Sequence, residues 1–238
     1  MLMLSSVGYG GSTDRASNGQ DPYRAYTRTI VQPMASDGVP VDDGPNNEVI
    51  TTGTAFSFGS SVWSGYKSLT FPGNPAYWLA WAATSNFTFT GDYCFEWVGK
   101  ITSLAADQAT FARYGGAAEY LDVLRTTGSY ETTTYNPGGL AVNAPAGTLV
   151  VNQNVHIIKQ RDGTNLRLYK NGTLVNSAAG ATGMTNGAAI PYFGILDTGT
   201  LGIPLFAEIC AIRMTAHNRG ISGSTAPNAL VDGPFPIL

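Results

Sequence analysis

The sequence predicts an all-β protein, a sandwich of two antiparallel sheets, and three observations lead there. Gly (29) and Pro (13) together make about 18% of the 238 residues, against about 12% in average composition. Only 12% of residues are charged, and Lys67, Lys100, Lys159 and Lys170 are too few lysines for the solvated faces of a helical bundle. From residue 53 onward, short runs rich in β-branched and aromatic residues alternate with turn residues about every 8 to 12 positions.

The elements follow in order. Residues 1–52 read as an extended N-terminal arm, interrupted by Gly8, Gly10, Gly11, Gly19, Gly38, Gly44, Pro22, Pro33, Pro40 and Pro45. Within it only Tyr23–Gln32 interleaves polar and apolar residues as a strand does. Such a segment buries too little to offset its ordering entropy, so it must pack on its own body or dock on a neighbouring subunit. Residues 53–222 form the body. Ser68–Phe71 is a strand stopped by Pro72-Gly73-Asn74-Pro75, Phe87–Thr90 is another, and Tyr93–Ile101 is a third. In the third, Tyr93, Phe95 and Trp97 share a core face, with Cys94, Glu96 and Val98 opposite. Between residues 154 and 177, three apolar runs joined by Asp162-Gly163 and Asn171-Gly172 predict a meander, because these dipeptides tolerate the positive φ of tight hairpins. Phe206–Met214 is the last strand, with Glu208 a candidate partner for Arg213. Residues 223–238, with Pro227, Pro234 and Pro236, close as coil.

Composition excludes several classes. A net charge of −3 and an isoelectric point near 5.3 leave no basic footprint for nucleic acid. No run approaches the roughly 18 apolar residues of a membrane span. Met1-Leu2-Met3-Leu4 has no basic residue before it and is too short for a signal-peptide core, so assembly in a cytoplasm is expected. Cys94 and Cys210 are too few for a disulfide framework or a zinc site and are expected to be free and buried.

Four segments in sequence carry a resemblance: Ser68-Leu-Thr-Phe-Pro-Gly-Asn74, Phe87–Lys100, the hairpin Arg161–Val175, and Ala207-Glu-Ile-Cys-Ala-Ile-Arg-Met214. Over about residues 66–217 they resemble the concanavalin A-like lectin/glucanase superfamily, specifically its laminin-G/pentraxin-like jelly rolls. Trp97 departs from the pattern by following Glu96 directly. The resemblance implies a jelly-roll sandwich and leaves the chemistry open, since that fold hosts lectins, glycosidases and structural modules.

The glycosidase chemistry needs carboxylates at alternate positions along one strand face, about 5 Å apart. No such triplet occurs: Glu119 and Asp122 stand three apart on opposite faces, and Glu96 and Glu208 are lone strand acids. His156 and His217 have no nucleophile elbow beside them, and no phosphate-binding glycine loop is present. Calcium, which the resemblance implies as a lectin accessory, has one oxygen-rich candidate in Asp42, Asp43, Asn46, Asn47 and Glu48, whose spacing is not that of an EF-hand and reads first as a solvated turn. Sugar binding calls for aromatics in or beside turns; Tyr114, Tyr120, Tyr130, Tyr135 and Tyr192 qualify, and Thr126–Pro137 suits either a ligand loop or a subunit contact. The candidate ligand residues are therefore Tyr130, Tyr135, Asn136 and Tyr192.

These features resemble the laminin-G-like modules of tailed-bacteriophage particles. The reading is a non-enzymatic virion structural protein, a capsid decoration module held to other virion subunits through residues 1–52 and touching host-surface glycans, with a homo-oligomer also open. The alternatives are a stand-alone calcium-assisted lectin and a tail or adhesin component; a glycoside hydrolase is the weakest.

Overall fold

A computed structural model describes residues 21–34, 36–114, 118–134, 140–181, 183–196 and 202–236. Two antiparallel sheets face each other across one core. The first contains β1 (Thr27–Val31), β3 (Ser57–Ser60), β4 (Lys67–Pro72), β6 (Tyr93–Ile101), β11 (Asn154–Asp162), β12 (Asn165–Lys170), β13 (Thr173–Ala179) and β15 (Phe206–Thr215). Their order is β13-β12-β11-β6-β15-β4-β3, with β1 on β15. The second contains β2 (Ile50–Thr52), β5 (Leu79–Trp81), β7 (Gln108–Tyr114), β8 (Ala118–Leu124), β9 (Tyr130–Thr134), β10 (Leu140–Ala144) and β14 (Ile190–Phe193), ordered β10-β9-β8-β7-β14-β5-β2.

The meander forms as the turn residues dictate: Asn171 and Gly172 take φ of 50° and 82° between β12 and β13. The aromatic face of β6 enters the core, where Phe95 lies 4.4 Å from Phe111 and 5.2 Å edge-on from Tyr120 between ring centroids. Phe87–Thr90 differs from expectation. Ser85–Phe87 is a 3-10 turn and Phe89 makes a single bridge to Met184, because this segment crosses from β5 in the second sheet to β6 in the first and pairs along neither.

The expected arm is extended, but its described part lies on its own sandwich. β15 pairs with β4 over Phe206–Ile209 and with β1 over Ile212–Thr215, so the N-terminal segment continues the first sheet where β4 ends. Further along, β2 joins the second sheet beside β5. Residues 27–31 and 50–52 of the expected arm are thus strands of the sandwich itself. Residues 1–20 lie outside the described residues. The closing coil also has structure: α1 (Ala229–Asp232) is capped by Asn228, whose side chain accepts from the Leu230 N–H, and Phe235 is buried.

Both cysteines are free and buried. Among the described residues no helix is long and apolar enough to cross a membrane.

Candidate functional site

Three places hold side chains beyond ordinary packing: the outer face of the first sheet, the space between the sheets, and the outer face of the second sheet.

On the outer face of the first sheet, Glu96 of β6 stands opposite Arg213 of β15 and accepts from its Nε at 2.6 Å. Arg213 and Arg219 also reach Asp21, at 3.3 and 2.8 Å, and Arg219 Nε approaches Glu96 at 3.6 Å. His156 Nδ1 accepts from the Ala229 N–H at 3.0 Å, which leaves Nε2 to carry its proton, 3.5 Å from Glu96 Oε1. Phe235 covers the Arg213 guanidinium at 3.9 Å. These charged side chains are all buried, and burial pushes Arg213 well below its usual range. The chain ends make this burial possible, since Asp21 and the 229–235 segment supply the cover. The strand face carrying Cys94, Glu96 and Val98 is accordingly interior as well. The expected pairing of Glu208 with Arg213 is corrected: Glu208 pairs with Lys100 at 3.1 Å, its direct neighbour on β6, just as Arg213 pairs with the residue opposite it.

Between the sheets, Lys159 of β11 and Asp122 of β8 are in direct contact, both fully buried. Strand alternation places Lys159 inward with Val155 and Ile157, and Asp122 inward with Tyr120 and Leu124. Thr132 Oγ1 donates to Asp122 Oδ1 at 2.7 Å, and Lys159 Nζ donates to the Tyr130 hydroxyl at 3.1 Å. That hydroxyl also takes the Trp97 indole N–H at 3.3 Å and bonds to Thr110. Burial raises the Asp122 carboxyl and lowers the Lys159 ammonium, each opposed by the partner's charge. It also raises the Tyr130 phenol well above its usual value.

On the outer face of the second sheet, the register sets Thr51, Ala80, Tyr192, Ala112 and Leu121 in one row across β2, β5, β14, β7 and β8. Alanines flank Tyr192 on both sides, and Trp78 meets it edge-on at 6.0 Å. Trp78 is half-buried and sits over Gly53, where any Cβ would collide with the indole. Ile195, Leu196 and Ile203 complete the apolar cluster. Ala80, Tyr192, Ala112 and Leu121 are buried and Trp78 is half-buried, so the part of this pair that can stack on the apolar face of a ring-shaped ligand is the indole.

The structure separates the predicted ligand residues. Tyr192 lies on this outer face but is itself buried, 8% exposed, whereas Tyr130 lies between the sheets, where its hydroxyl is committed to the Lys159 cluster and its ring is closed to solvent; that expectation is corrected. Tyr135 and Asn136 lie outside the described residues, as do the side chains of Tyr114 and Glu119. Tyr120 is core. In the candidate calcium cluster, Asp42 is spent on main-chain N–H groups: Oδ1 accepts from Ile30 and Gly44 at 2.8 Å each, and Oδ2 from Glu48 at 2.7 Å. Glu48 accepts from Asn86 at 2.6 Å, and among the described residues no group of three or more metal-ligating side chains converges. The cluster is a turn built around Asp42. Of the candidate catalytic acids, Glu96 is locked to Arg213 and Glu208 faces Lys100, and neither stands as a free carboxylate pair.

Sequence reasoning missed Trp78 as a surface aromatic and Lys159 as an interior base. Strand parity was the available signal for both, since Trp78 shares parity with Ala80 and Lys159 with Ile157.

The chain matches no protein-family model and no curated protein sequence. Solved structures do share its fold. The binding domain of Paraclostridial Mosquitocidal Protein 1 superposes with a TM-score of 0.64 at 12% identity, over 82% of this chain and 50% of that one. The botulinum neurotoxin serotype C1 binding domain gives 0.63 at 10% identity, over 82% and 50%. A botulinum neurotoxin type C structure, whose cell entry depends on two ganglioside molecules, gives 0.61 at 10% identity, over 82% and 49%. The chain thus spans about half the length of the structures it matches. These are binding domains rather than catalytic ones, and at such identity the likeness is one of fold.

Proposed function

We propose that the chain is a non-enzymatic carbohydrate-binding module. The observation that carries this reading is the half-buried Trp78 indole at the outer face of the second sheet, held edge-on against the buried Tyr192 so that its exposed part can stack on a pyranose ring. The ganglioside-dependent neurotoxin of like fold supports it as analogy. The test is a glycan array on the intact chain, followed by titration of any hit against Trp78→Ala and Tyr192→Phe. Loss of at least tenfold in affinity for Trp78→Ala, with little change for Tyr192→Phe, is expected. A hit whose affinity is indifferent to Trp78 overturns the assignment of the site.

A second reading, a virion outer-surface module, has its own support. Asp21 is anchored by Arg213 and Arg219, and the residues that precede it, 1–20, would serve as the docking segment on a capsid or tail subunit. Deleting residues 1–20 should then abolish particle binding while leaving the fold and glycan affinity intact.

A further inference from the structure

We infer that Lys159 and Asp122 close an intramolecular isopeptide bond that fastens the two sheets to each other. The amine and the carboxyl are already in contact, each fully buried, and they come from β11 of the first sheet and β8 of the second. Holding two reacting groups in this way replaces a bimolecular encounter with an effective concentration of roughly 10⁵ M or more. The surroundings are those that amide formation needs. Lys159 Nζ lies 5.9 Å from the Phe111 ring centroid and 5.4 Å from that of Tyr130, so water that would reverse the reaction is excluded.

The chemistry balances without an added reagent. The Lys159 ammonium first gives a proton to Asp122 Oδ2, leaving a neutral amine against a neutral acid. Burial favours this exchange, since it raises the carboxyl and lowers the ammonium. The Nζ lone pair attacks Asp122 Cγ and forms the C–N bond, and negative charge gathers on Oδ1. Thr132 Oγ1–H, donating to that oxygen at 2.7 Å, is placed to hold the charge. A second Nζ proton moves to the Oδ2 hydroxyl, the C–Oδ2 bond breaks, and one water leaves. The remaining N–H keeps the Tyr130 hydroxyl, 3.1 Å from Nζ, as its acceptor. Thr132 and Tyr130 are positioning residues in this step.

Tryptic mapping of the intact, purified chain tests the inference. Acylated Lys159 resists trypsin, so the peptides 114–125 and 126–161 should travel as one branched species, lighter than their sum by one water. In Lys159→Met and Asp122→Ala that species should vanish, and in Thr132→Val part of the chain should remain unlinked. Cleavage after Lys159 with both peptides at full mass overturns the inference. So does a water loss that persists in Lys159→Met on peptide 114–125 alone, which would place it in a succinimide at Asp122. The map on the unaltered chain decides even where a variant fails to fold.

Discussion

The outer faces of the two sheets are built by opposite rules. The first presents Glu96, Arg213 and His156, and these side chains are tolerable in the interior only because the chain ends arrive carrying Asp21, the Ala229 N–H and the Phe235 ring. The second presents alanines around Tyr192, and its cover is apolar and close by in the chain: Ile195 and Leu196, which follow β14, and Trp78, which precedes β5 and stays half-buried. A polar face is sealed by distant parts of the chain, whereas a face of small apolar residues is covered by the side chains next to its own strands, with one indole left partly in water.

The sharpest way to break this contrast is at the centre of the seal. Glu96→Ala removes one of the two carboxylates that the buried Arg213 and Arg219 guanidiniums share, the other being Asp21, an expected loss of about 3 kcal/mol in urea denaturation. Hydrogen exchange should accelerate in β1 and in residues 229–235 together, since both are held through this cluster. If the two segments respond separately, the chain ends are fixed by local packing and the seal is not one unit.

Next in size is the rim. The Gln32 side chain accepts from the Phe235 N–H at 2.7 Å and donates to the Phe235 carbonyl at 3.2 Å, so one side chain clamps the C-terminal segment to the N-terminal one. Gln32→Ala should cost about 2 kcal/mol by leaving two buried main-chain groups unpaired. The denaturation midpoint should fall with its slope unchanged.

On the second face, Trp78→Ala should cost less, about 1 to 2 kcal/mol, because a half-buried indole forfeits only part of the roughly 3 to 5 kcal/mol of a core tryptophan. Its effect belongs on ligand affinity instead. A stability loss equal to that of Glu96→Ala would mean that the second face, too, is structural.

The same contrast explains what was legible in the sequence. β6, β11 to β13 and β15 were readable because hairpin dipeptides and strict alternation are local signals. The burial of Glu96 was not, because a strand face with Cys94, Glu96 and Val98 looks solvated until residues far away in the chain, Asp21 and Phe235, cover it. Lys159 was hidden differently. Alternation with Val155 and Ile157 pointed it inward, but the rule that lysines face water spoke louder, and only the presence of Asp122 on the opposing sheet reverses that rule. The Glu208–Arg213 pairing failed because neighbours along a strand lose to residues directly across it, and cross-strand register is not local information.

The smallest effect lies in the strap that leads into the seal, and it has a sign opposite to the others. Asp43 is half-buried, and its carboxyl is pushed up to about 6, first by burial and then by the charges of Asp37 and Asp42, with the Gln32 N–H pulling the other way. The folded chain therefore holds this proton more tightly than the unfolded one does. Its contribution to stability is fully present below the ordinary value of 3.8 and is lost as pH rises through about 6, so at neutral pH the charged carboxylate is a liability. A shift of this size corresponds to roughly 3 kcal/mol for a shielded group, and solvent screening at half burial reduces it to about 1 kcal/mol or less. Asp43→Asn removes the charge while keeping an oxygen for the Gln32 N–H, so it should stabilise the chain at pH 7.5 and leave it unchanged near pH 4. Subtracting the two denaturation curves at each pH isolates this residue from every other titrating group. A difference that stays flat across that range would mean that the strap carries no strain from its acids, and that the seal is as quiet at its edge as the apolar face of the second sheet is.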